Sequence, residues 1–184
     1  LFHILKFNKI NCVIGGNYGF PACEIEDPGK NGVIILELSS YQLDGAKNLS
    51  LDLATITNIT NDHLEYHETF KKYKLSKLKI INFLKKNGTI FLNANDKILR
   101  ETTPENKLKS LNVIKIKKDQ TYNYVNDNNY LKGAHNVSNS SIAISIARHL
   151  NITLENIKFA IENFKGLTHR MEPLYISDRI KIIN

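Results

Sequence analysis

Short, continuous apolar runs recur along the chain, and each of them ends in polar residues. The runs are Gly32-Val33-Ile34-Ile35-Leu36-Glu37-Leu38, Leu53-Ala54-Thr55-Ile56-Thr57-Asn58-Ile59 and Thr89-Ile90-Phe91-Leu92-Asn93. Because successive side chains of a strand point to opposite faces of a sheet, an unbroken apolar run indicates a strand buried on both faces. The runs therefore predict a mainly parallel sheet covered by helices.

Helical patterns alternate with these strands. The clearest covers residues 68–86, which Asn87-Gly88 closes. Its apolar stripe consists of Phe70, Tyr73, Lys77, Ile80, Ile81 and Leu84. Further helices are predicted at about 137–150 and at 153–165, the latter with Thr153 as its N-cap and Gly166 as its stop. Buried strands that alternate with helices predict an α/β domain.

Weaker strand patterns occur in the second half of the chain. Residues 113–116 and 122–125 are predicted as strands separated by polar turns. After Gly166 the pattern changes to a hairpin formed by residues 174–176 and 180–183.

The net charge of +7 raises the possibility of a nucleic-acid partner. Only four of the 25 basic residues are arginine, and most lysines are scattered. Abundant Lys, Asn and Ile are what an AT-rich genome encodes, so we expect an ordinary solvated surface and no nucleic-acid partner.

No apolar run approaches the roughly 20 residues that cross a bilayer. Since Cys12 and Cys23 have neither metal nor disulfide spacing, a reduced cytoplasmic protein is expected.

Polar residues follow two of the predicted strands, where parallel α/β sheets bind their ligands. Glu37 precedes two hydroxyls and an amide in Leu38-Ser39-Ser40-Tyr41-Gln42. These groups could hold Mg²⁺ and a polar substrate, or the serines could cap the next helix. His63 could ligate Mg²⁺ or orient a phosphate or acyl group while Asp62 fixes its ring, or both could belong to a turn.

Lys77 is the most informative single residue, because it lies four positions after Tyr73 within the apolar stripe. A buried ammonium is costly unless it is paired, and desolvation favours the neutral amine. A neutral lysine can react with CO₂ to give an anionic carbamate that binds Mg²⁺. The alternative is a side chain that extends past the edge of the stripe into water.

Two late segments contain further candidate ligands. In Gly133-Ala134-His135-Asn136-Val137-Ser138-Asn139, the side chains of Asn136 and Asn139 could both reach one ligand, such as an adenine edge. Helix capping alone would also explain Asn136. Arg170 could place its guanidinium against a phosphate, or it could form a surface ion pair.

The order and spacing of these segments resemble the Mur ligase family, in its D-glutamate-adding branch. Glu37 through Leu43 resembles the family's Glu-Leu-Ser-Ser-Phe/Tyr-Gln-Leu, and Asn58 through His63 is similar to its Asn-x-x-x-Asp-His. Tyr73 through Lys77 matches its Tyr-x-x-x-Lys, in which the lysine is carbamylated. The remaining matches are Gly15-Gly16-Asn17-Tyr18-Gly19, Gly133-x-His135-Asn136-x-x-Asn139 and Gly166-Leu167-x-His169-Arg170. The resemblance runs from about residue 12 to the end of the chain.

The resemblance implies an ATP-dependent amide ligase of peptidoglycan synthesis that joins D-glutamate to UDP-N-acetylmuramoyl-L-alanine through an acyl phosphate. Carried over by position, the catalytic groups and Mg²⁺ ligands are Glu37, His63 and Lys77. The groups that face the UDP-sugar substrate are Asn17, Ser39, Gln42 and Asp62. The groups that contact ATP are Asn136, Asn139 and Arg170. Small molecules are the implied partners, with neither nucleic acid nor membrane.

The family's phosphate loop is absent from these residues, since no Gly-x-x-x-x-Gly-Lys-Ser/Thr occurs among them. The resemblance therefore implies a P-loop-like central ATP-binding domain at residues 1–166, truncated at its N-terminal edge, and the start of a C-terminal ligase domain at residues 167–184. We expect the chain to be inactive alone. Two alternatives stay open: another amide ligase of the superfamily, such as the folate-polyglutamating branch, and a non-catalytic nucleotide-binding remnant.

Overall fold

The computed structural model describes residues 1–117 and 123–167, together with the backbone of 173–176 and 181–183. Five parallel strands form two sheets. The first sheet pairs β1 (Cys12–Gly16) with β2 (Val33–Glu37), and the second has the order β3 (Leu51–Ile56), β4 (Leu84–Asn93), β5 (Asn112–Ile116). A short antiparallel hairpin of β6 (Pro173–Ile176) and β7 (Lys181–Ile183) follows. The predicted mainly parallel α/β fold and the terminal hairpin are confirmed.

Helices flank the strands and connect them. They are α1 (Phe2–Phe7), α2 (Ser40–Gly45), α3 (Leu64–His67), α4 (Phe70–Leu78), α5 (Lys97–Thr102), α6 (Glu105–Leu108), α7 (Asn123–Asp127), α8 (Ala134–His149) and α9 (Leu154–Glu162). Thr153 caps α9 as predicted, because its side chain accepts a hydrogen bond from Asn156 N. No helix in the described part of the chain combines the length and the apolar character needed to span a bilayer.

Helix α8 holds the two parallel sheets together. On one side, Ile144 and Ala147 belong to a core cluster that includes Cys12 of β1 and that Val33 and Ile35 of β2 pack against. On the other side, α8 contributes to a cluster of Phe91, Ile116, Ile142 and Ile146, which includes residues of β4 and β5. Burial of each such side chain contributes about 1.5–3 kcal/mol. Helix α8 therefore packs against both sheets, which share no backbone pairing among the described residues.

The predicted helix at 68–86 is too long. Helix α4 ends at Leu78, a 3-10 helix covers Lys79–Phe83, and β4 begins at Leu84. The cause is tertiary pairing, because Leu84 is paired with Leu51 of β3 and this extended partner takes the chain out of the helix. Two members of the stripe, Tyr73 and Ile81, are nevertheless buried, and the other four are partly buried.

Two strand predictions also need correction. Residues 123–125 lie in the helix α7 rather than in a strand, because Val125 is buried in the core cluster that α8 and α9 share. Tyr122, the first residue of that predicted strand, lies outside the described residues. Strand β2 is not buried on both faces, since Ile34 is 49% exposed while Val33 and Ile35 pack against the core. Its inward face is covered by helices and its outward face is open.

Candidate active site

The segments that follow β2 and β3 meet through side-chain contacts between α2 and α3. The Tyr41 hydroxyl donates a hydrogen bond to Glu65 Oε1 over 3.2 Å. Ser40 Oγ and His67 Nε2 lie 2.9 Å apart. Both contacts join a residue of the helix after β2 to a residue of the helix after β3. The segments that follow Glu37 and His63 therefore pack against each other through α2 and α3.

Glu37 lies at the end of β2 beside Asn17. Asn17 Nδ2 donates to Glu37 Oε1 over 3.4 Å, and the Asn17 backbone N–H donates to the Glu37 carbonyl over 2.7 Å. This close approach requires glycine at position 16, which has a φ of +104° and where a Cβ would lie 2.3 Å from the Glu37 carbonyl oxygen. Both side chains are exposed. The glycine loop thus brings the predicted substrate-facing amide next to the predicted metal ligand.

Ser39 and Gln42 form a capping box at the start of α2. The Ser39 side chain accepts a hydrogen bond from Gln42 N over 3.3 Å, and Gln42 Oε1 accepts one from Ser39 N over 2.9 Å. The sequence left open whether the serines cap the helix after β2, and the structure shows that Ser39 is the N-cap of α2. The box leaves the Gln42 amide NH₂ unused, so a substrate contact through this group is compatible with the cap.

His63 has a left-handed backbone and lies between two carboxylates. Its φ of 54° is uncommon for a residue other than glycine, and Asp62 Oδ1 stabilises it by accepting a hydrogen bond from His63 N over 2.9 Å. Nε2 is 3.6 Å from Asp62 Oδ2, and Nδ1 is 3.6 Å from Glu65 Oε1. Hydrogen bonding to its own backbone N–H, aided by Tyr41 and His63, lowers the pKa of Glu65. The predicted contact between Asp62 and the imidazole is present.

Lys77 points toward the end of β3. Its Nζ donates to the carbonyl of Asn58 over 3.3 Å and lies 5.2 Å from the centre of the Tyr73 ring. The same ring contacts His63 at a centroid distance of 6.1 Å. Tyr73 is buried, whereas Lys77 is only half-buried and the hydrogen bond of its amine is exposed, so the Lys77 side chain reaches past the edge of the stripe. Lys77 and His63 therefore share Tyr73 as a neighbour.

The donor set of the predicted metal site is incomplete with unmodified side chains. No group of three or more His, Cys, Asp and Glu side chains that could hold a metal ion occurs among the residues that the structure describes. Glu37 supplies one oxygen donor and His63 one nitrogen donor. Because Mg²⁺ prefers oxygen ligands, the set suits this ion when Lys77 carries a carbamate and water fills the remaining positions.

The predicted nucleotide-binding residues are only partly described. Asn136 Nδ2 donates to the Lys132 carbonyl over 3.0 Å, and Asn139 is exposed one turn later on α8. Gly133, with a φ of +102°, is the N-cap of α8 and provides no side chain to cap it. Asn136 is therefore tied to the preceding loop rather than acting as the cap. Arg170 lies outside the described residues.

Several polar residues that organise this region were not predicted from the sequence. Asp96 accepts hydrogen bonds from Ile59 N and Leu99 N, both at 2.9 Å, and so fixes the loop after β3 while capping α5. Asn93 Nδ2 donates to the Thr57 carbonyl over 3.0 Å. The signals were available: Asp96 follows a strand and precedes a helical pattern. Spacing alone does not show that Asn93 and Asp96, at the end of β4 and just after it, hydrogen-bond to the segment that follows β3.

Two pockets lie beside the candidate ligands rather than at them. The larger, of about 490 Å³, is lined by Asp44, Tyr66, His67, Glu68, Lys72, Leu75, Ser76 and Lys79. The smaller, of about 170 Å³, is lined by Asn93, Asn95, Ile116, Ala134, Val137, Ser138 and Ser141. Neither lining includes Glu37, His63 or Lys77.

Comparison with known proteins assigns the family. Residues 25–147 match the family model described as the Mur ligase middle domain. The chain belongs to the Mur ligase family. Two similar curated proteins are both named UDP-N-acetylmuramoylalanine–D-glutamate ligase. The protein of Zymomonas mobilis is 33% identical over 95% of this chain, and that of Bacillus cereus is 30% identical over 100% of it. The chain spans only 39% and 44% of the lengths of these relatives.

Solved Mur ligases share the fold. MurF from Acinetobacter baumannii has a TM-score of 0.70 at 15% identity, covering 96% of this chain and 45% of that one. MurF from Thermotoga maritima, solved in complex with ADP, has a TM-score of 0.69 at 16% identity, covering 99% of this chain and 48% of that one. At this identity the likeness shows the architecture alone, and it agrees with the parallel sheets flanked by helices described above.

Proposed function

We propose that this Mur ligase chain is the ATP-handling part of an enzyme that joins D-glutamate to UDP-N-acetylmuramoyl-L-alanine in peptidoglycan synthesis. Support comes from the relatives of that name, which are 30–33% identical over nearly the whole chain. The reaction takes place in the cytoplasm, where ATP and the nucleotide-linked substrate are available. Residues 167–184 begin the domain that binds the incoming amino acid.

The reaction has two steps. The substrate carboxylate attacks the γ-phosphorus of ATP, which forms an acyl phosphate and releases ADP. The amine of D-glutamate then attacks the acyl carbon, and phosphate leaves from the tetrahedral intermediate. Mg²⁺, when bound, neutralises charge that develops on the transferred phosphoryl group. Glu37, His63 and a carbamate on Lys77 would hold it.

The remaining side chains position the two substrates. The UDP-sugar would be contacted by Asn17, Ser39, Gln42 and Asp62. The nucleotide would be contacted by Asn136, Asn139 and Arg170. Asn17 and Asp62 lie directly beside Glu37 and His63, so a substrate that they bind would have its reacting carboxylate close to the metal ligands.

The orientation of Lys77 carries the proposal. Its ammonium donates to Asn58 at the end of β3 and lies over Tyr73, a ring that also contacts His63. The Lys77 side chain packs over Tyr73, and this packing directs the ammonium to the end of β3. A carbamate formed on this amine would supply the third ligand beside Glu37 and His63.

A non-catalytic nucleotide-binding chain is the second candidate, and one observation favours it. The 184 residues contain no Gly-x-x-x-x-Gly-Lys-Ser/Thr segment, whose backbone amides and lysine bind the phosphates of ATP. Such a chain could bind a nucleoside without transferring phosphate.

The test is an assay of the protein expressed from the complete reading frame that contains this chain. With Mg²⁺ and ATP, we expect phosphate release that requires both UDP-N-acetylmuramoyl-L-alanine and D-glutamate. L-Glutamate should not replace D-glutamate, and a folate acceptor should be inactive. Turnover with folate and glutamate would assign the folate-polyglutamating branch instead, and no turnover with either pair would favour the non-catalytic chain.

A further inference from the structure

Ser40, His67 and Ser76 form a buried polar bridge between three helices. Ser40 is 2% exposed, His67 is 5% exposed and Ser76 is 4% exposed. Ser40 Oγ lies 2.9 Å from His67 Nε2, and the imidazole tautomer determines which of the two donates. The Ser76 hydroxyl donates to the Ser40 carbonyl over 2.6 Å. Through Ser40, the bridge ties α2 to both α3 and α4.

Each member of the bridge is close in sequence to a proposed metal ligand. Ser40 lies three residues after Glu37, His67 four residues after His63, and Ser76 directly before Lys77. The three ligands come from separate segments of the chain. Their spacing therefore depends on how α2, α3 and α4 pack, and the bridge is the set of buried polar contacts that joins these helices.

Aromatic packing fixes the imidazole of His67. Its ring contacts Tyr66 at 4.8 Å, Tyr73 at 5.4 Å and Tyr41 at 5.6 Å between centroids. Tyr41 and Tyr73 also contact the ring of His63. A displacement of His67 would therefore be transmitted to His63 through shared neighbours, and to Glu37 through Ser40.

We propose that His67 is a positioning residue: its hydrogen bond to Ser40 sets the spacing between Glu37 at the end of β2 and His63 at the start of α3. The proposal rests on the proposed function, because the distance between these groups matters only if they share a ligand. His67 itself touches neither substrate nor metal. It acts by holding α3 against α2 through this hydrogen bond, which an apolar ring of the same shape cannot form.

The test compares variants of the protein from the complete reading frame. His67→Phe keeps an aromatic ring but removes the hydrogen bond, His67→Gln keeps a polar nitrogen near the Nε2 position, and Ser40→Ala removes the partner. Asn128→Ala is the matched control, because Asn128 is also buried and its side chain donates to the carbonyls of Ile161 and Phe164, in a different part of the fold. Melting temperatures identify variants that only lose stability.

We expect kcat to fall roughly 10- to 100-fold in His67→Phe with little change in KM, since a misplacement of about 1 Å can cost about 10²-fold. His67→Gln should recover most of this loss. Ser40→Ala should lower kcat similarly. The double variant of His67→Phe and Ser40→Ala should have a kcat no lower than that of the less active single variant, because both substitutions remove the same contact. Asn128→Ala should lower the melting temperature while its kcat stays near the wild-type value. Equal kcat losses in His67→Phe and Asn128→Ala at equal melting temperatures would overturn the proposal.

A second measurement does not depend on turnover. Mn²⁺ is a paramagnetic stand-in for Mg²⁺, and its affinity can be measured by electron paramagnetic resonance with bicarbonate and a non-hydrolysable ATP analogue present. Affinity should fall at least about fivefold in His67→Phe and recover in His67→Gln. If the wild-type protein is inactive but Mn²⁺ affinity falls in His67→Phe and recovers in His67→Gln, the proposed reaction is rejected and the positioning role is kept. An active wild type with unchanged affinity and kcat in His67→Phe would reject the positioning role alone.

Discussion

At the scale of single residues, the neighbours of a charged group decide whether it can serve as a ligand. Two lysines of α4 illustrate this. Lys74 Nζ lies 5.2 Å from the centre of the Phe70 ring, and Lys77 Nζ lies 5.2 Å from the centre of the Tyr73 ring. Only Lys77 also reaches a backbone carbonyl at the end of a strand. Position relative to β3, rather than burial alone, distinguishes the two.

This difference gives a prediction for Lys77. In the protein from the complete reading frame, Lys77→Ala should lower kcat by at least about 10²-fold, the usual cost of losing a group that stabilises transition-state charge. Lys74→Ala removes an equivalent contact with a ring and should change kcat less than about twofold. Steady-state phosphate release measures both, and circular dichroism checks that the fold is kept. Similar losses in both variants would show that the helix face, not the amine of Lys77, is what matters.

Glu37 gives a second prediction at this scale. Glu37→Gln removes the negative charge at almost constant volume, so it should raise the Mg²⁺ concentration needed for half-maximal turnover by about tenfold or more. Stability should change little, because the carboxylate is exposed and its contact with Asn17 is a long hydrogen bond of 3.4 Å. A Mg²⁺ titration of initial rates is the measurement. An unchanged midpoint and maximal rate would remove Glu37 from the metal site.

At the scale of elements, the sequence predicted strands better than helix ends. The continuous apolar runs correctly place β2 and the final part of β4, although only the β4 segment is buried on both faces as such a run predicts. The end of α4 could not be predicted, since it depends on the pairing of Leu84 with a strand that precedes it by more than thirty residues. The bridge formed by Ser40, His67 and Ser76 was missed for the same reason, because no local pattern joins the three.

The capping box at α2 gives a prediction for an element. Ser39→Ala should lower the free energy of unfolding by about 1 kcal/mol, the typical loss of a serine N-cap. Ser39→Asn should keep most of that stability, because asparagine caps helices as well as serine does. Urea unfolding measures both. If the hydroxyl also contacts the UDP-sugar, Ser39→Asn should raise KM for that substrate although the cap is intact, whereas a KM equal to wild type would limit Ser39 to capping.

At the scale of the whole molecule, the five parallel strands divide between two sheets that α8 bridges. The sequence predicted the parallel strand type, but not this division. Among the described residues β2 pairs with β1 alone, and Ile34 is exposed on its outer face. An edge strand with an open apolar face favours association between copies, so limited solubility is the expected behaviour of the isolated chain.

The 184-residue polypeptide itself gives the last prediction. Phosphoryl transfer depends on positioning and charge stabilisation, which loop amides, a lysine and Mg²⁺ supply. These residues contain neither the glycine-rich loop nor its lysine, so they provide only part of the metal site and the amides of Asn136 and Asn139. We therefore expect the isolated polypeptide to bind ATP weakly, to release no phosphate and to form no amide. The measurement is phosphate release from the purified chain with Mg²⁺, ATP and both substrates present. Turnover of roughly 1 s⁻¹ or above, as in ordinary enzymes, would mean that other residues of this chain build the phosphate site.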